Sequence, residues 1–107
     1  MGLRMTIPTQ LVIEALLADP GQERYGYEIG ESAGLASGTV HPILARLENL
    51  GWVESRWEDV DASAAGRPAR RYYLLTDGGR ADARAALLRA RRPHPRPVAA
   101  LPGPAPA

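Results

Sequence analysis

A run of small and polar side chains between residues 37 and 46 has the chemistry needed to bind an anion or the edge of a nucleic-acid base. Serine and threonine hydroxyls bond either target, an imidazole both donates and accepts, and an arginine on a following turn suits a phosphate. If the run opens a helix, its first backbone N–H groups also face the ligand. The candidate contacts are Ser37, Gly38, Thr39, His41, Pro42 and Arg46.

A second cluster, residues 66–73, contains Arg67, Arg70 and Arg71. A guanidinium pairs with phosphate through two hydrogen bonds and also fits a narrow minor groove. In an extended strand, Arg70 and Arg71 point to opposite faces. We therefore expect one of them to bind phosphate and the other to pack along the domain or to pair with an acid.

The charge of the chain is unevenly distributed, although the net charge of its 107 residues is only +1. Residues 1–63 contain four arginines and ten acidic residues, whereas residues 64–107 contain nine arginines and two acidic residues. Such asymmetry is typical of a protein with one half facing a polyanion. A solvated basic face followed by a basic tail would give the same counts.

The composition excludes several classes of enzyme. The sequence has no cysteine, which excludes thiol catalysis, disulfides and thiolate metal sites. Of its two histidines, His94 lies near the C-terminus, so no two-histidine metal site is expected, and no nucleophile or phosphate-loop motif is present. No apolar run approaches the roughly 20 residues of a membrane span. We expect a cytoplasmic protein with no metal, cofactor or catalytic activity.

The helix carrying the first run is the clearest predicted element. Its apolar stripe recurs at helical spacing and consists of Val40, Ile43, Leu44, Leu47 and Leu50. The stripe alone indicates only packing against a core. With Ser37 as N-cap and Gly51 as stop, the helix is predicted from Ser37 to Leu50. Pro42 removes a backbone hydrogen bond within it, so a start nearer residues 38–39 is the alternative.

The other elements follow from periodicity and turn residues. Helices are predicted from Pro8 to Ala18, from Gly26 to Ala33, and from Asp77 to about Arg92, with Gly34 ending the second and Thr76 capping the last. Strands at Trp52–Glu58 and Arg70–Leu75 form a hairpin with a long tip.

This order predicts a mostly helical α+β domain over residues 1–92. The second and third helices, joined by a tight glycine turn, form a helix-turn-helix, and the hairpin after them is the wing of a winged helix. The last helix follows the wing. Residues 93–107 are rich in proline and alanine and are predicted to be disordered.

Four motifs in this order resemble the PadR family of bacterial transcription regulators. They are Gly26-Tyr27-Glu28-Ile29, the segment Ser37–Glu48, Gly51-Trp52-Val53 and the segment Arg70–Gly79. The resemblance covers roughly residues 7–88. It implies a winged-helix homodimer that binds a palindromic operator, usually as a repressor, with the third helix in the major groove and the wing on the backbone. The family commonly has tyrosine where this chain has His41, whose charge depends on pH.

The short C-terminal region resembles the short subgroup of the family, which implies dimerisation through the last and first helices. The first helix is apolar around most of its circumference and needs cover on several sides, which favours the same interface. The candidate dimer contacts are Leu11, Val12, Leu16, Ala81, Ala85 and Leu88.

Two other functions remain open at this stage. A winged helix also serves as a protein-interaction module, in which the arginine-rich surface would dock an acidic partner. Alternatively, Trp52 or Trp57 contributes to a pocket for a flat aromatic effector at the dimer interface, although anchoring of the hairpin to the helices is the favoured explanation of both tryptophans, and more so of Trp52. The main prediction is a nucleoid-associated, dimeric regulator that binds double-stranded DNA.

Overall fold

The computed structural model describes residues 3–93, so all of the predicted tail except Pro93 lies outside the described residues. Within them the elements are α1 (Ile7–Ala18), β1 (Arg24–Tyr25), α2 (Gly26–Ala33), α3 (Ser37–Asn49), β2 (Val53–Trp57), α4 (Ala62–Ala65), β3 (Arg71–Leu75) and α5 (Asp77–Arg91). The predicted order of helices and hairpin is confirmed. The sequence did not predict β1 and α4.

Helix α1 begins one residue before the predicted Pro8, because Thr6 acts as its N-cap. The Thr6 hydroxyl accepts a hydrogen bond from the Thr9 N–H at 3.3 Å. Helix α2 ends at the predicted Gly34, which adopts the left-handed conformation with φ of 72°. Helix α3 starts three residues later, which gives the tight turn of the helix-turn-helix.

The start of α3 differs from the prediction. Its N-cap is Ala36, not Ser37, and no side chain caps the helix; Ser37 is instead the first helical residue. The helix does not start later to accommodate Pro42, which lies within it. The Gly38 carbonyl consequently lacks the hydrogen bond that a backbone N–H at residue 42 would donate. Burial of the apolar stripe offsets this loss.

Four residues of the predicted stripe, Val40, Ile43, Leu44 and Leu47, are at most 2% exposed and form the centre of the core. The fifth, Leu50, is 41% exposed, because it is the C-cap residue and the chain turns away at Gly51 with φ of 78°. Side chains from α1, α2 and the sheet complete the core, including Ile13, Ile29, Val53, Tyr73 and Leu75.

The sheet has the order β1-β3-β2, with antiparallel pairing throughout. In the β2–β3 hairpin, Ser55 lies opposite Tyr73 and Trp57 lies opposite Arg71. Strand β1 pairs with the other edge of β3, which brings Tyr25 opposite Tyr72. This pairing fixes the start of α2 against the wing, since α2 follows β1 directly.

Helix α5 is capped by Thr76, as predicted, with its hydroxyl accepting from the Gly79 N–H at 2.8 Å. Gly79 packs directly on the backbone of Trp52: a Cβ at residue 79 would lie 2.0 Å from the Trp52 carbonyl oxygen. Near its other end, Arg91 pairs with Glu14 of α1 at 2.7 Å. Helix α5 is thereby fixed to the base of the wing and to α1.

Candidate nucleic-acid interface

Helix α3 presents all six predicted contact residues to solvent. The apolar side chains of the helix face the core, so its polar residues lie on the opposite face. The exposed residues are Ser37, Gly38, Thr39, His41, Pro42 and Arg46. Because no side chain caps the helix, the N–H groups of Ser37 and Gly38 also remain available to an acceptor, whereas those of Thr39 and Val40 donate to the Ala36 carbonyl.

His41 lies at the junction between α3 and the start of α2. A Cβ built on Gly26 would be 2.7 Å from His41 Cε1, so only glycine at residue 26 lets the imidazole occupy this place. The ring lies against the α2 backbone while the residue stays exposed. His41 is therefore held in position, whereas Thr39, two residues earlier, is exposed to solvent.

Arg67 does not present a free guanidinium for a phosphate. It donates two hydrogen bonds to Glu58, at 2.6 and 3.0 Å. The bonded Arg67 guanidinium, with a further hydrogen bond from the backbone N–H of Arg70, lowers the pKa of Glu58 to about 2. The geometry of Arg67 therefore does not support the prediction that this residue contacts DNA. Its charge is already neutralised by Glu58, and the ion pair joins the two ends of the wing loop.

Arg71 also binds within the chain. Its Nε donates to Ser55 Oγ at 3.0 Å, its Nη2 lies 3.4 Å from Glu48 Oε1, and its guanidinium carbon is 5.3 Å from the centre of the Trp57 ring. Of the two alternating arginines, Arg71 is accordingly the one that pairs with an acid. Arg56 is similarly paired with Glu23 at 2.6 Å.

Arg70 differs from these arginines because its guanidinium has no carboxylate hydrogen-bond partner among residues 3–93. Its guanidinium carbon lies 4.2 Å from the centre of the Tyr25 ring, a cation–π distance. The aromatic ring holds the side chain in place without neutralising its charge. Arg70 is therefore the wing arginine best placed to receive a phosphate.

A cleft of about 360 Å³ separates the start of α2, helix α3 and the wing. It brings His41 of α3 and Arg70 of the wing onto one concave surface, together with two tyrosines that the sequence did not point to, Tyr25 and Tyr27. The remaining lining residues are Gly26, Trp57, Ala69, Arg71 and Tyr73. Tyr27 is 61% exposed in the structure, and its place in the Gly26-Tyr27-Glu28-Ile29 motif was the available sequence signal.

The tip of the wing is acidic. Asp59 and Asp61 flank the exposed Val60, and Asp61 caps the four-residue helix α4 by accepting from the Ser63 N–H at 2.9 Å. Residues 59–66 contain no basic side chain. The tip therefore has the wrong charge for a minor groove, and the three predicted wing arginines follow it along the chain, at residues 67, 70 and 71.

The model of the PadR-like family of transcriptional regulators matches residues 13–85. The chain belongs to this family. Its members are transcription regulators and not enzymes. Among proteins with curated functions, none has significant similarity to this sequence.

Solved structures of PadR family regulators share the fold. The regulator from Clostridium difficile R20291 is 24% identical with a TM-score of 0.60, over 80% of this chain and 88% of that one. The regulator from Eggerthella lenta DSM 2243 is 26% identical with a TM-score of 0.61, over 78% and 74%. Bacillus subtilis PadR, solved in complex with operator DNA, is 21% identical with a TM-score of 0.61, over 87% and 53%. This confirms the predicted winged helix-turn-helix.

The predicted dimer residues of this PadR-like chain fall into two groups. Val12 and Leu16 are 0% and 3% exposed within the chain's own core, so they cannot face a partner, and Leu11 is half-buried. The first helix is covered mainly by its own chain. Ala81, Ala85 and Leu88 instead share one exposed face of α5, opposite the buried residues Gly79, Ala83 and Ala86.

The two tryptophans lie in different places. Trp52 borders an apolar cavity of about 390 Å³, together with Leu3, Met5, Leu50, Ala86, Arg89 and Ala90. Trp57 is 62% exposed and lies at the cleft beside α3. They cannot form a single effector pocket within one chain. Among the helices of residues 3–93, none has the length and apolarity needed to cross a bilayer.

Proposed function

We propose that this PadR-like regulator binds double-stranded DNA sequence-specifically, with the first turns of α3 in the major groove and Arg70 on the flanking backbone. The observation that carries the proposal is the cleft that joins His41 on α3 to Arg70 on the wing. Base edges are read by hydroxyls and the imidazole, while a phosphate is bound by the guanidinium that has no carboxylate partner. The Bacillus subtilis relative was solved with operator DNA, which supports this assignment.

We further propose that the protein acts as a homodimeric repressor on a palindromic operator in the bacterial nucleoid. The exposed alanines of α5 allow close approach of a second helix, and Leu88, 69% exposed, supplies apolar area that a partner would bury. Two-fold symmetry would place two α3 helices in successive major grooves, about 34 Å apart.

Selection of duplexes from a random-sequence library with the full chain tests DNA recognition. The expected result is an enriched palindromic motif whose binding weakens steeply as salt rises, because Arg–phosphate contacts release counterions. A library with no enriched motif, bound without salt dependence, would contradict the proposal.

Sedimentation velocity tests the dimer. Leu88→Asp is expected to convert a two-chain species into a single chain. Val60→Asp, which places the same charge at an exposed aliphatic position on the wing tip, should leave the mass unchanged. A wild-type chain that sediments as a monomer at micromolar concentration would exclude this assembly. Repression itself is tested by a reporter placed behind the selected motif, whose output should fall when the regulator is expressed.

A second candidate function is effector sensing at the Trp52 cavity, which is apolar and has Arg89 at its border. A flat aromatic acid would place its ring against Trp52 and its carboxylate near Arg89. Titration of tryptophan fluorescence with such acids tests this, since Trp57→Phe leaves Trp52 as the single tryptophan. The Trp57→Phe chain should respond and the Trp52→Phe chain should not; the reverse result would move the site to the α3 cleft.

The interaction-module alternative receives less support. It required an arginine-rich surface free to dock an acidic protein, yet Arg56, Arg67 and Arg71 are paired with carboxylates of their own chain. Retention of a stoichiometric protein partner by a chain that retains no DNA would restore it.

A further inference from the structure

A carboxylate on the DNA-reading helix is tied to both strands of the wing. Glu48, in the last turn of α3, accepts a hydrogen bond from the Ser55 hydroxyl of β2. Its other carboxylate oxygen lies 3.4 Å from Arg71 Nη2 of β3. Three elements therefore meet at a single acidic side chain.

The same contacts reinforce one another. Arg71 donates from Nε to Ser55 Oγ at 3.0 Å, so the two partners of Glu48 are also bonded to each other. The Arg71 guanidinium packs in addition on the Trp57 ring. Glu48 and Arg71 are each about one-third exposed, at 34% and 38% of their side chains. A pair this exposed contributes little to folding stability. The role of the pair therefore lies in the relative placement of α3, β2 and β3, which it joins.

The position of this carboxylate is unfavourable for DNA affinity alone. A negative charge on the reading helix repels phosphate, and its removal would ordinarily strengthen binding to any duplex. Only three residues, 50–52, separate α3 from β2, and the core holds the wing through Val53, Tyr73 and Leu75 near its base. Further out along the hairpin, the Glu48 contacts join the wing to α3.

We propose that Glu48 is a positioning residue that fixes the wing relative to α3 and so sets the spacing between His41 and Arg70. Arg70 is the chain neighbour of Arg71, so holding Arg71 on Glu48 also fixes the strand end from which Arg70 projects. The consequence is selectivity: base contacts from α3 and the backbone contact from Arg70 form together only on the correct site. This inference rests on the proposed DNA recognition.

Binding measurements with Glu48→Ala and Glu48→Gln test the hydrogen bonds of Glu48 separately from its charge. Both variants lose the negative charge, but glutamine can still bond both neighbours: its amide oxygen accepts from Arg71, and its amide N–H donates to the Ser55 hydroxyl. The probes are the tightest duplex from the random library and a pool of random duplexes of equal length. Glu48→Ala should bind the selected duplex about tenfold more weakly, the loss of one well-placed contact, and the random pool no more weakly than wild type. Glu48→Gln should retain the selectivity of wild type.

Glu54→Ala is the matched control for charge. Glu54 is an exposed carboxylate on β2 that makes no ion pair within the described residues. Its removal should strengthen binding to both probes slightly. If Glu48→Ala behaves like Glu54→Ala, or binds the selected duplex as tightly as Glu48→Gln, the proposal is wrong. The double variant Glu48→Ala/Arg71→Ala should lose no more selectivity than the stronger single variant, since each single substitution already removes the contact between Glu48 and Arg71.

A measurement without DNA separates this inference from the proposed function. Since the chain has no cysteine, Glu31→Cys on α2 and Ser63→Cys on the wing tip can carry spin labels at two defined sites, with labelled chains diluted into unlabelled ones. The distance distribution between them should broaden in Glu48→Ala and stay narrow in Glu48→Gln. Unchanged distributions would overturn the positioning role, whereas a wild-type library without an enriched motif would contradict DNA recognition instead.

Discussion

The start of α3 and the wing differ in how much of their polar chemistry is left for a ligand. Every predicted contact on α3 is exposed, from Ser37 to Arg46. On the wing, Arg67 and Arg71 are bound to Glu58 and Glu48, and Arg70 alone of the three predicted arginines has no carboxylate partner among the described residues. The number of arginines in a segment therefore overstates the charge it offers to DNA.

The difference has a structural cause. A helix packed by one stripe leaves its opposite face without neighbours, so polar side chains there meet only solvent. A hairpin places each side chain beside those of the neighbouring strand and of the helix it packs on. Arg67 and Arg71 thus meet Glu58 and Glu48, whereas the Thr39 side chain is exposed to solvent.

The largest expected effect lies where the wing joins the helical body. Gly79→Ala would place a Cβ 2.0 Å from the Trp52 carbonyl oxygen and 2.4 Å from Trp52 Cα, and neither backbone atom is free to move aside. We expect a loss of about 3 kcal/mol in the free energy of unfolding, which is a fall of more than about 10 °C in Tm for a domain of this size. Thermal unfolding followed by circular dichroism measures it.

The adjacent Gly78→Ala is the control, because a Cβ at residue 78 meets nothing within 4 Å. It should leave the free energy of unfolding unchanged or raise it by up to about 1 kcal/mol, because alanine has the higher helix propensity. Equal effects of the two substitutions would show that helix propensity, not the contact with Trp52, decides the outcome.

The comparison between the wing arginines is sharpened by Arg70→Ala and Arg67→Ala. Arg70→Ala should weaken binding to all duplexes about tenfold and lower the slope of log K against log salt by about 1, the signature of one lost phosphate contact. Arg67→Ala made together with Glu58→Gln should change DNA affinity less than about twofold, because the two substitutions remove a pair that is already neutral. Titrations at several salt concentrations distinguish the two variants. An equal loss of DNA affinity in both would contradict the difference proposed between Arg70 and Arg67.

On α3, Thr39→Val should alter sequence preference and leave general affinity intact. The substitution removes the exposed hydroxyl at nearly constant size, and a hydrogen bond to a base edge discriminates by about 1–3 kcal/mol. Thr39→Ser, which keeps the hydroxyl, should retain the original motif. Repeating the library selection with each variant gives the answer, and an identical motif for Thr39→Val would remove this residue from the reading surface.

The smallest expected effect concerns the pH dependence of the Glu58–Arg67 pair. Because Arg67 lowers the pKa of Glu58 to about 2 in the folded chain, the pair stabilises the fold above the ordinary carboxyl pKa of about 4.3. That contribution is lost as pH falls from there toward 2. Wild type should have the higher Tm than Glu58→Gln at pH 7, and the difference should disappear near pH 2. A difference that persists at pH 2 would mean that the charge of Glu58 is not responsible.

Much of the fold was predictable because its signals are local. The α3 stripe, the glycines at 34 and 51 and the Thr76 cap each depend on a few neighbouring residues. Strand β1 was not predictable, since two residues carry no periodicity and its pairing partner Tyr72 lies more than 45 residues away. Helix α4 has only four residues and buries none of them.

The exposed polar face of α3 was predictable from the sequence, whereas the ion pairing of the wing arginines was not. Exposure of His41 and Thr39 follows from the buried stripe of their own helix. The pairing of Arg71 with Glu48 depends on a contact between residues 23 positions apart, which alternation limits to a face but cannot identify. The N-cap at Ala36 was missed because a serine at residue 37 is a good cap by type, but its backbone is already helical.

Strand β3 continues into α5 through the single residue Thr76, whose hydroxyl also donates to the Gly51 carbonyl at 2.8 Å. The junction therefore contains no spare length. An inserted residue there would change the register of the central strand, or it would rotate α5 by about 100°. The rotation would turn the exposed alanine face of α5 away from the proposed partner helix. The exposed loop over residues 59–66 has no such constraint and should accept additional residues at little cost. Length variation among relatives of this chain is accordingly expected at the wing tip and not at Thr76.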